Sequence, residues 1–320
     1  MNEAVGTGTA PGREYHLWVG ARTDTGRVRA NNQDAVGTWK DLPQTIPFDD
    51  SGYLFAVADG VGGNEQGEVA SALAIETLFH TYYGDDTTEV PNALKRAMRK
   101  ANEAVYERGL SQSEDRAMGT TLVAGVIRGT TLTIGNVGDS RAYLFRGRTQ
   151  STQVSKDHSL VAEAVRAGQM TAEDAKKSRQ RNVITRALGQ RQKVDVDIFE
   201  VDLMDNDVVL LCSDGLHGIV EDAEMKQVAQ ALAPDEAANE LIDLANSRNA
   251  SDNVSAVIVK ATVEYAPVSV PAAPPMEMTE RATDRIPAVP EKRGLPIIPI
   301  AAAVLALALI IALVAFLFLR

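Results

Sequence analysis

An α+β fold with helices packed outside antiparallel sheets is predicted from two observations. Short apolar runs rich in β-branched residues alternate with stretches in which apolar residues recur every three or four positions. These are the patterns of buried strands and amphipathic helices. Residues 120–146 contain neighbouring strand candidates joined by glycine-containing turns, which favours antiparallel hairpins over parallel βαβ units. The chain has 320 residues, of which 45% are hydrophobic and 23% charged, so it can bury a large core.

Each predicted strand is a short apolar run. The first has period two at Tyr15, Leu17, Val19 and Ala21, and the others lie at 53–58, 120–127, 131–137, 141–146, 207–213 and 253–260. Amphipathic helices are predicted at three sets of apolar residues: Ala72, Ile75, Phe79 and Tyr82; Leu94, Ala97, Met98, Ala101 and Val105; and Ala237, Leu241, Leu244 and Ala245. We expect the second helix to begin after Pro91 and Asn92, and Thr171 with Asp174 to cap a short helix.

Charge and cysteine content exclude two classes of function. The net charge is -11, from 32 Lys and Arg against 43 Asp and Glu, so the basic surface that holds nucleic acid by its phosphates is not expected. Cys212 is the only cysteine and cannot form an internal disulfide, which suits a reducing compartment. Its place inside an apolar strand predicts a core role rather than a redox role.

The C-terminal residues predict a membrane anchor within residues 296–320. Residues 297–319 carry no charged or hydrogen-bonding side chain, and at about 1.5 Å per residue a helix of this length spans roughly 34 Å, enough to cross a bilayer. A buried core helix is the alternative, but such helices rarely stay apolar on every face. There is no N-terminal apolar run, so no signal peptide is expected. Four basic residues precede the span: Arg281, Arg285, Lys292 and Arg293. By the positive-inside tendency, the preceding domain is expected on the cytoplasmic face of the cell membrane, with a single pass.

A proline-rich linker is predicted between the anchor and the soluble part. Eight of the 13 prolines lie between residues 267 and 299, a composition that resists packing because proline has no amide donor. We therefore expect a globular domain over residues 1–263, a linker over 264–295 and the membrane helix after it. The charges from residue 264 onward cancel, so the net charge of -11 lies on the globular domain.

Four aspartates stand where predicted strands begin or end. Asp59, Asp139 and Asp214 each follow an apolar run, and Asp252 precedes one. Strands can deliver such carboxylates to one shared edge, where they repel one another unless a cation lies between them. Oxygen ligands suit Mg2+ or Mn2+, and the lack of His or Cys clusters disfavours zinc. Two such ions can activate a water molecule for attack on a phosphate.

Upstream of these aspartates, Arg29 lies five residues before Asp34. A guanidinium group at this position can bind phosphate as a fork while the carboxylate joins the water shell of a metal ion. A surface arginine in a turn is the alternative explanation.

Taken together, these residues resemble the motifs of the PPM family, the type 2C-like metal-dependent protein Ser/Thr phosphatases, in its bacterial form. The motifs are RANNQD at 29–34, VADGVGG at 57–63, GEVAS at 67–71, MGTT at 118–121, GDSR at 138–141, SDG at 213–215 and SDN at 251–253. Their order is highly specific, and the resemblance covers about residues 14–261. It implies an αββα sandwich of two antiparallel sheets flanked by helices, in agreement with the fold predicted from the strand and helix patterns.

The resemblance also implies a role for each site residue. Asp59 would bridge two Mn2+ or Mg2+ ions, with the Gly60 carbonyl on one ion and Asp214 and Asp252 on the other. Asp34 would orient water bound to the metal.

Three further elements follow from the same resemblance. Arg29 would hold the substrate phosphate. Asp139 with Asp214 would contribute to a third, weaker metal site. Residues 146–194 would form the variable flap that borders the active site, a polar, helix-forming and mobile segment.

Departures from the family pattern leave the general acid open. Gln33 replaces a glutamate that contacts a metal through water, Val61 stands where animal members have the general-acid histidine, and Asn64 stands where bacterial members commonly have histidine. Metal-bound water, His158 or His217 could protonate the leaving group. The alternative for each histidine is a solvated loop position.

The resulting expectation is a membrane-tethered phosphatase. It would hydrolyse phosphoserine and phosphothreonine in bacterial proteins by attack of metal-activated water, opposing a Ser/Thr kinase. A non-catalytic PPM-like module that binds phosphorylated or kinase partners at the membrane is the alternative from another class. A third possibility keeps the chemistry with a small phosphorylated metabolite or an anti-sigma-type antagonist as substrate.

Overall fold

A computed structural model describes residues 6–10, 13–42, 48–61, 66–85, 89–112 and 118–265. The described strands are β1 (Gly6–Ala10), β2 (Arg13–Asp24), β3 (Asp34–Thr38), β4 (Tyr53–Val61), β5 (Gly119–Thr120), β6 (Leu122–Arg128), β7 (Thr131–Val137), β8 (Arg141–Arg146), β9 (Gln150–Gln153), β10 (Asp197–Asp202), β11 (Asp207–Cys212) and β12 (Val254–Tyr265). The described helices are α1 (Phe48–Ser51), α2 (Gln66–Tyr83), α3 (Val90–Gln112), α4 (Leu160–Arg166), α5 (Ala172–Lys177), α6 (Asp214–His217), α7 (Asp222–Ala231) and α8 (Pro234–Ser247), with a 3-10 turn at Trp39–Asp41.

The strands form two antiparallel sheets. The first has the order β1-β2-β12-β11-β8-β9, and the second has the order β10-β7-β6-β4-β3 with the short β5 paired to β4. One buried cluster joins side chains of both sheets, among them Leu17 and Val257 of the first and Phe55 and Ile134 of the second. The sheets therefore pack face to face with a core between them.

Helices cover the outer face of each sheet. A second cluster packs α2 and α3 against β4, β6 and β7, with Leu78, Leu94 and Met98 fully buried. A third cluster packs α6, α7 and α8 against β8, β11 and β12 and contains Cys212. Each helix contributes one apolar stripe to its cluster, as amphipathic helices do. The predicted α+β fold of two antiparallel sheets flanked by helices is confirmed, and Cys212 is a buried core residue with a free thiol.

The prediction that residues 120–146 form successive hairpins is wrong at one step. β6 and β7 do pair, but β7 and β8 belong to different sheets. Gly138 has a φ of 110°, a backbone conformation that glycine adopts without strain. Here the chain crosses from the second sheet to the first through Asp139 and Ser140.

Two helix starts can be compared with their predictions. α3 begins at Val90 rather than after Asn92, because proline in the first turn removes only an N–H group that has no partner within the helix. Thr171 caps α5 as predicted, with its hydroxyl accepting a hydrogen bond from the Asp174 N–H.

The predicted membrane helix lies outside the described residues, as does nearly all of the predicted linker. Within the described ranges, no helix has both the length and the apolar character needed to cross a bilayer. All described elements belong to a compact unit of residues 1–268.

Candidate active site

The second sheet brings two of the predicted carboxylates side by side. β3 pairs with β4 so that Asp34 lies directly opposite Asp59, which places their side chains within contact distance. Asp59 does not end its strand as predicted, because β4 continues to Val61. A Cβ atom on Gly60 would lie 2.2 Å from the Gly67 carbonyl oxygen, so only glycine permits this close approach of β4 to the start of α2.

The first sheet brings two more carboxylates from neighbouring strands. Asp214 follows β11 as the first residue of α6, and Asp252 lies two residues before β12. A Cβ atom on Gly215 would lie 2.0 Å from the Asn253 carbonyl oxygen. Glycine after Asp214 therefore lets these two loops touch.

Asn253 connects this loop to the segment that carries Arg29. Its side-chain oxygen accepts a hydrogen bond from the Gln33 N–H at 2.9 Å, and its amide nitrogen donates to the Thr25 and Asn31 carbonyls, each at 2.9 Å. The Arg29 guanidinium forms a 2.8 Å ion pair with Asp252. Asn253 thus orients the predicted phosphate-binding loop, a role that sequence analysis missed although the residue lies in the SDN motif.

Two serines hold one oxygen of the Asp34 carboxylate. The hydroxyls of Ser213 and Ser255 both donate to Asp34 Oδ2 at 2.7 Å. The other oxygen, Oδ1, is buried and accepts no hydrogen bond from a described residue, and the same holds for Asp139 Oδ1. A buried carboxylate oxygen without a partner costs free energy unless a ligand satisfies it.

Two threonines of the MGTT motif support Asp59 and link it to Asp139. Thr121 Oγ1 accepts a hydrogen bond from the Asp59 N–H at 3.0 Å, and the Thr121 N–H donates to the Asp59 carbonyl at 2.8 Å. Thr120 Oγ1 donates to the same carbonyl at 2.9 Å. Thr121 Oγ1 also lies 2.7 Å from Ser140 Oγ. The segments that carry Asp59 and Asp139 are therefore held together by side chains that the sequence motif did not assign.

The carboxylates of the site destabilise one another's charged forms. Burial is the main cause that raises the pKa of Asp34 and of Asp139 to about 7 each and the pKa of Asp214 to about 6, and the charges of the neighbouring acids raise these pKa values further. Burial, together with the charges of Asp34, Asp214, Asp139 and Asp252, also raises the pKa of Asp59. These interactions show that the structure brings all five predicted aspartates to one place. Arg29 joins them, since its pKa is raised by the hydrogen bond to Asp252 and also by the charges of Asp252, Asp59 and Asp214.

The site fits a hard divalent cation. Its donors are all oxygen atoms, two of them buried and unpartnered, and Asp34, Asp59, Asp139 and Asp214 form no ion pair with a Lys or Arg of the described chain. Among the described residues, no three Asp, Glu, His or Cys side chains are already arranged so that they could hold a metal ion. The Asp252 carboxylate is turned to Arg29, and Asp34 Oδ2 is turned to the two serines. Side-chain rotations are therefore part of binding an ion.

Both candidate general-acid histidines are committed to hydrogen bonds near Asp139. His158 Nδ1 accepts from the Gly138 N–H at 3.0 Å, and its Nε2 lies 3.3 Å from Asp197 Oδ2. His217 Nε2 lies 3.1 Å from the Asp139 carbonyl oxygen. Burial lowers both pKa values, that of His217 to about 3. The alternative of solvated loop histidines is wrong for both, because each packs into the structure; Asn64 lies outside the described residues.

The flap is shorter than predicted, because residues 150–153 form β9 at the edge of the first sheet. The segment between β9 and β10, residues 154–196, contains the short helices α4 and α5. We call residues 154–196 the flap below.

Comparison with known proteins places this fold and site in a family. The family model described as Protein phosphatase 2C matches residues 21–254. The serine/threonine phosphatase stp of Listeria innocua serovar 6a is 36% identical over 246 residues, which cover 75% of this chain and 94% of the relative.

Solved structures agree with this assignment. The crystal structure of the Mycobacterium tuberculosis serine/threonine phosphatase PstP/Ppp matches with a TM-score of 0.68 and 36% identity, covering 76% of this chain and 98% of that one. The catalytic domain of PstP in complex with two manganese ions matches with a TM-score of 0.67 and 34% identity, covering 78% of this chain and 99% of that one. The chain therefore belongs to the protein phosphatase 2C family and is a protein phosphatase.

Proposed function

We propose that the chain hydrolyses phosphoserine and phosphothreonine in proteins with the aid of two Mn2+ or Mg2+ ions. One observation carries the proposal: strand pairing, serine and threonine hydrogen bonds and a close loop contact bring the segments of five aspartates from two sheets together, and four of the five have no Lys or Arg partner in the described structure. The names of the Listeria and Mycobacterium relatives as serine/threonine phosphatases, and the two manganese ions of the PstP structure, support the same activity.

The metal ions would be held by Asp59, the Gly60 carbonyl, Asp214 and Asp252, with Asp34 on a coordinated water. Asp139 and Asp214 would form a third, weaker site. When bound, the ions would supply an activated water and neutralise the phosphate oxygens. Asp34 is held by two serine hydroxyls through Oδ2, which would leave Oδ1 to hold a proton from the attacking water.

Arg29 would bind the phosphate. Its side chain is about half exposed and donates through only Nη2 to Asp252 in the described structure, so its other donors are available to form a fork on two phosphate oxygens. Because Asp252 is among the residues that would hold an ion, Arg29 would leave this ion pair and turn toward the substrate phosphate. Because the nitrogens of His158 are both engaged and His217 is kept neutral by burial, we assign the leaving-group proton to water in the site.

The membrane location is a separate part of the proposal. The apolar run at 297–319, the proline-rich linker at 264–295 and the basic residues before the run support a single-pass anchor with the phosphatase domain on the cytoplasmic face. A flexible tether would raise the effective concentration of the enzyme near membrane-bound substrates, among which we place a Ser/Thr kinase and its targets. Fractionation of cells that express the full chain or a chain ending at residue 295 tests this, since only the full chain should sediment with membranes. Equal distribution of the two would exclude the anchor.

The activity is tested by phosphate release from a phosphothreonine peptide by the full chain, in Mn2+ or in EDTA, beside Asp59→Asn. We expect turnover that requires Mn2+ and is lost in the variant. Absence of turnover with several peptides and metals, from folded protein, would contradict the proposal and favour a non-catalytic module that binds phosphorylated partners.

A further inference from the structure

The flap has the opposite charge to the chain as a whole. Residues 154–196 contain nine Lys or Arg and five Asp or Glu, whereas the 320 residues together carry a net charge of -11. More than a quarter of the 32 basic residues therefore lies in about an eighth of the sequence. Such local charge creates a field that selects partners of opposite sign.

Both ends of the flap are fixed beside the active site. At its start, the His158 N–H donates to the Gly138 carbonyl at 2.9 Å, one residue from Asp139. Toward its end, Leu188 exchanges two backbone hydrogen bonds with Thr120, whose hydroxyl donates to the Asp59 carbonyl. The two ends of the flap are therefore attached to the segments that carry Asp139 and Asp59.

The flap presents an apolar pair beside two unpaired cations. The turn at residues 178–183 packs on the start of α4, where the Leu160 N–H donates to the Val183 carbonyl at 2.9 Å. The side chains of Leu160 and Val183 remain 39% and 46% exposed, which is unusual for large apolar residues in the described structure. Arg179 and Arg181 lie on the same turn, are exposed, and form no ion pair with a described residue. We call these four residues the flap tip.

Two other flap cations have structural partners. Arg186 donates to the Asp197 carboxylate at 2.7 Å and to the Asp195 carbonyl at 3.1 Å, and Lys176 lies 3.7 Å from Glu221. The unpaired guanidinium groups of the flap tip are therefore available to an external anion. An arginine fork binds carboxylates and phosphates alike.

We propose that the flap tip binds an acidic segment adjacent to the phosphorylated residue of a protein substrate. This inference rests on the proposed phosphatase function and names its substrate class: phosphoproteins in which Asp, Glu or further phosphorylated residues flank the site. The apolar pair would contact an aliphatic or aromatic side chain within the same segment. The acidic remainder of the domain repels such a segment, so the flap tip directs it to one side of the active site.

The test compares two phosphothreonine peptides that differ only in flanking residues, Asp and Glu in one and Asn and Gln in the other. For the full chain with Mn2+ we expect a KM about five- to tenfold lower for the acidic peptide at low ionic strength, a preference that salt weakens by screening. Arg179→Gln with Arg181→Gln should reduce the preference to less than about twofold and leave kcat unchanged.

A matched control removes two cations elsewhere. Lys95→Gln with Arg148→Gln changes the net charge by the same amount as the flap-tip variant. Lys95 lies in the first half of α3, and Arg148 follows the end of β8 that is far from Asp139. This control variant should keep the peptide preference. Turnover of p-nitrophenyl phosphate by every variant separates the two proposals, because this substrate has no flanking segment. If p-nitrophenyl phosphate and both peptides are hydrolysed without preference, the flap-tip inference is wrong and the phosphatase function stands.

A further measurement distinguishes binding of an acidic substrate segment at the flap tip from binding of membrane lipid there. The Arg179→Gln with Arg181→Gln variant, made in the full chain, is also compared with wild type for binding to phosphatidylserine vesicles. If the variant keeps the peptide preference but binds these vesicles less tightly than wild type, the flap tip contacts lipid and the inference is overturned. If no substrate is hydrolysed by folded wild-type protein, the phosphatase function itself fails.

Discussion

The two ends of β11 carry buried aspartates that differ in whether an arginine neutralises their charge. Asp207, at the start, has a fully buried side chain whose oxygens accept three hydrogen bonds from Arg146 at 2.6 to 3.1 Å and one from the Met204 N–H at 2.8 Å. Asp214, just past the other end, pairs with no Lys or Arg in the described structure, and burial raises its pKa to about 6. A buried carboxylate is stable when it is paired with a cation or protonated. The chain supplies an arginine at the start of β11, and at the other end we propose that a metal ion fills this role.

The same contrast occurs within the site. Asp157 receives three hydrogen bonds from Arg141 at 2.7 to 3.0 Å, while Asp139, two residues before Arg141, has a buried oxygen without a partner among the described residues. Arginine is therefore close to the unpaired carboxylates and is directed away from them. This separation is what the proposed metal site requires.

The largest effect should come from Asp214→Asn. Loss of this proposed metal ligand should lower kcat/KM by about a thousandfold or more, since bound metal contributes several kcal/mol to catalysis and each 1.36 kcal/mol is a factor of ten. Steady-state hydrolysis of a phosphothreonine peptide in saturating Mn2+ measures this. Asp235→Asn on the exposed start of α8 is the matched control and should retain activity.

At the other end of β11, Asp207→Asn should affect stability and spare catalysis. It leaves the Arg146 guanidinium, which is mostly buried, without its counter-charge, and we expect a loss of about 3 kcal/mol in the free energy of unfolding. Urea unfolding measures the loss, and activity per folded molecule should stay within about twofold. A fall in kcat as large as that of Asp214→Asn would erase the distinction between the two ends.

The pH dependence of stability should reveal the unpaired carboxylates. The pKa values of Asp34, Asp139 and Asp214 are raised to about 7, 7 and 6 in the folded state, above their values in an unfolded chain. The folded state therefore binds more protons, and the contribution of these groups is full below about pH 4 and is lost as the pH rises through 6 to 7. In EDTA we expect the Tm to rise by several degrees when the pH is lowered from 8 to 5.5. Saturating Mn2+ should suppress this rise, and an identical pH profile with and without the ion would contradict the account.

The smallest effect should follow from Ser255→Ala. The variant removes one of the two hydroxyls on Asp34 Oδ2, and a hydrogen bond to a charged group is worth about 1.5–3 kcal/mol. Because the Ser213 hydroxyl remains, we expect a drop in kcat/KM of about tenfold, with a further rise in the pKa of Asp34. Ser247→Ala on the exposed end of α8 serves as the control. Unchanged kinetics in Ser255→Ala would show that Ser213 alone holds the carboxylate.

The sequence predicted the strands near the site well because their information is local. The ranges 131–137 and 141–146 match β7 and β8, since burial and β-branched content mark each strand by itself. The gathering of Asp59, Asp139 and Asp214 followed from their positions beside such strands. Local patterns do not state which sheet a strand joins, so the crossing at Gly138 was missed.

The supporting contacts of the site depend on tertiary structure. Ser255 reaches Asp34 only because the register of β12 places it beside Ser213. His158 and His217 are held inside by the packing of the flap and of α6, which no periodicity in their polar surroundings indicates. Nor did the acidic motifs reveal the pairing of Arg29 with Asp252.

The central claim is that the site aspartates lower the stability of the metal-free protein and that a divalent ion compensates for them. Chemical unfolding of wild type and Asp59→Asn, each in EDTA and in Mn2+ at pH 7.5, tests it most directly. We predict that Asp59→Asn is more stable than wild type in EDTA and that Mn2+ stabilises wild type much more than the variant. A variant that is less stable than wild type in EDTA, and as responsive to Mn2+, would contradict the claim.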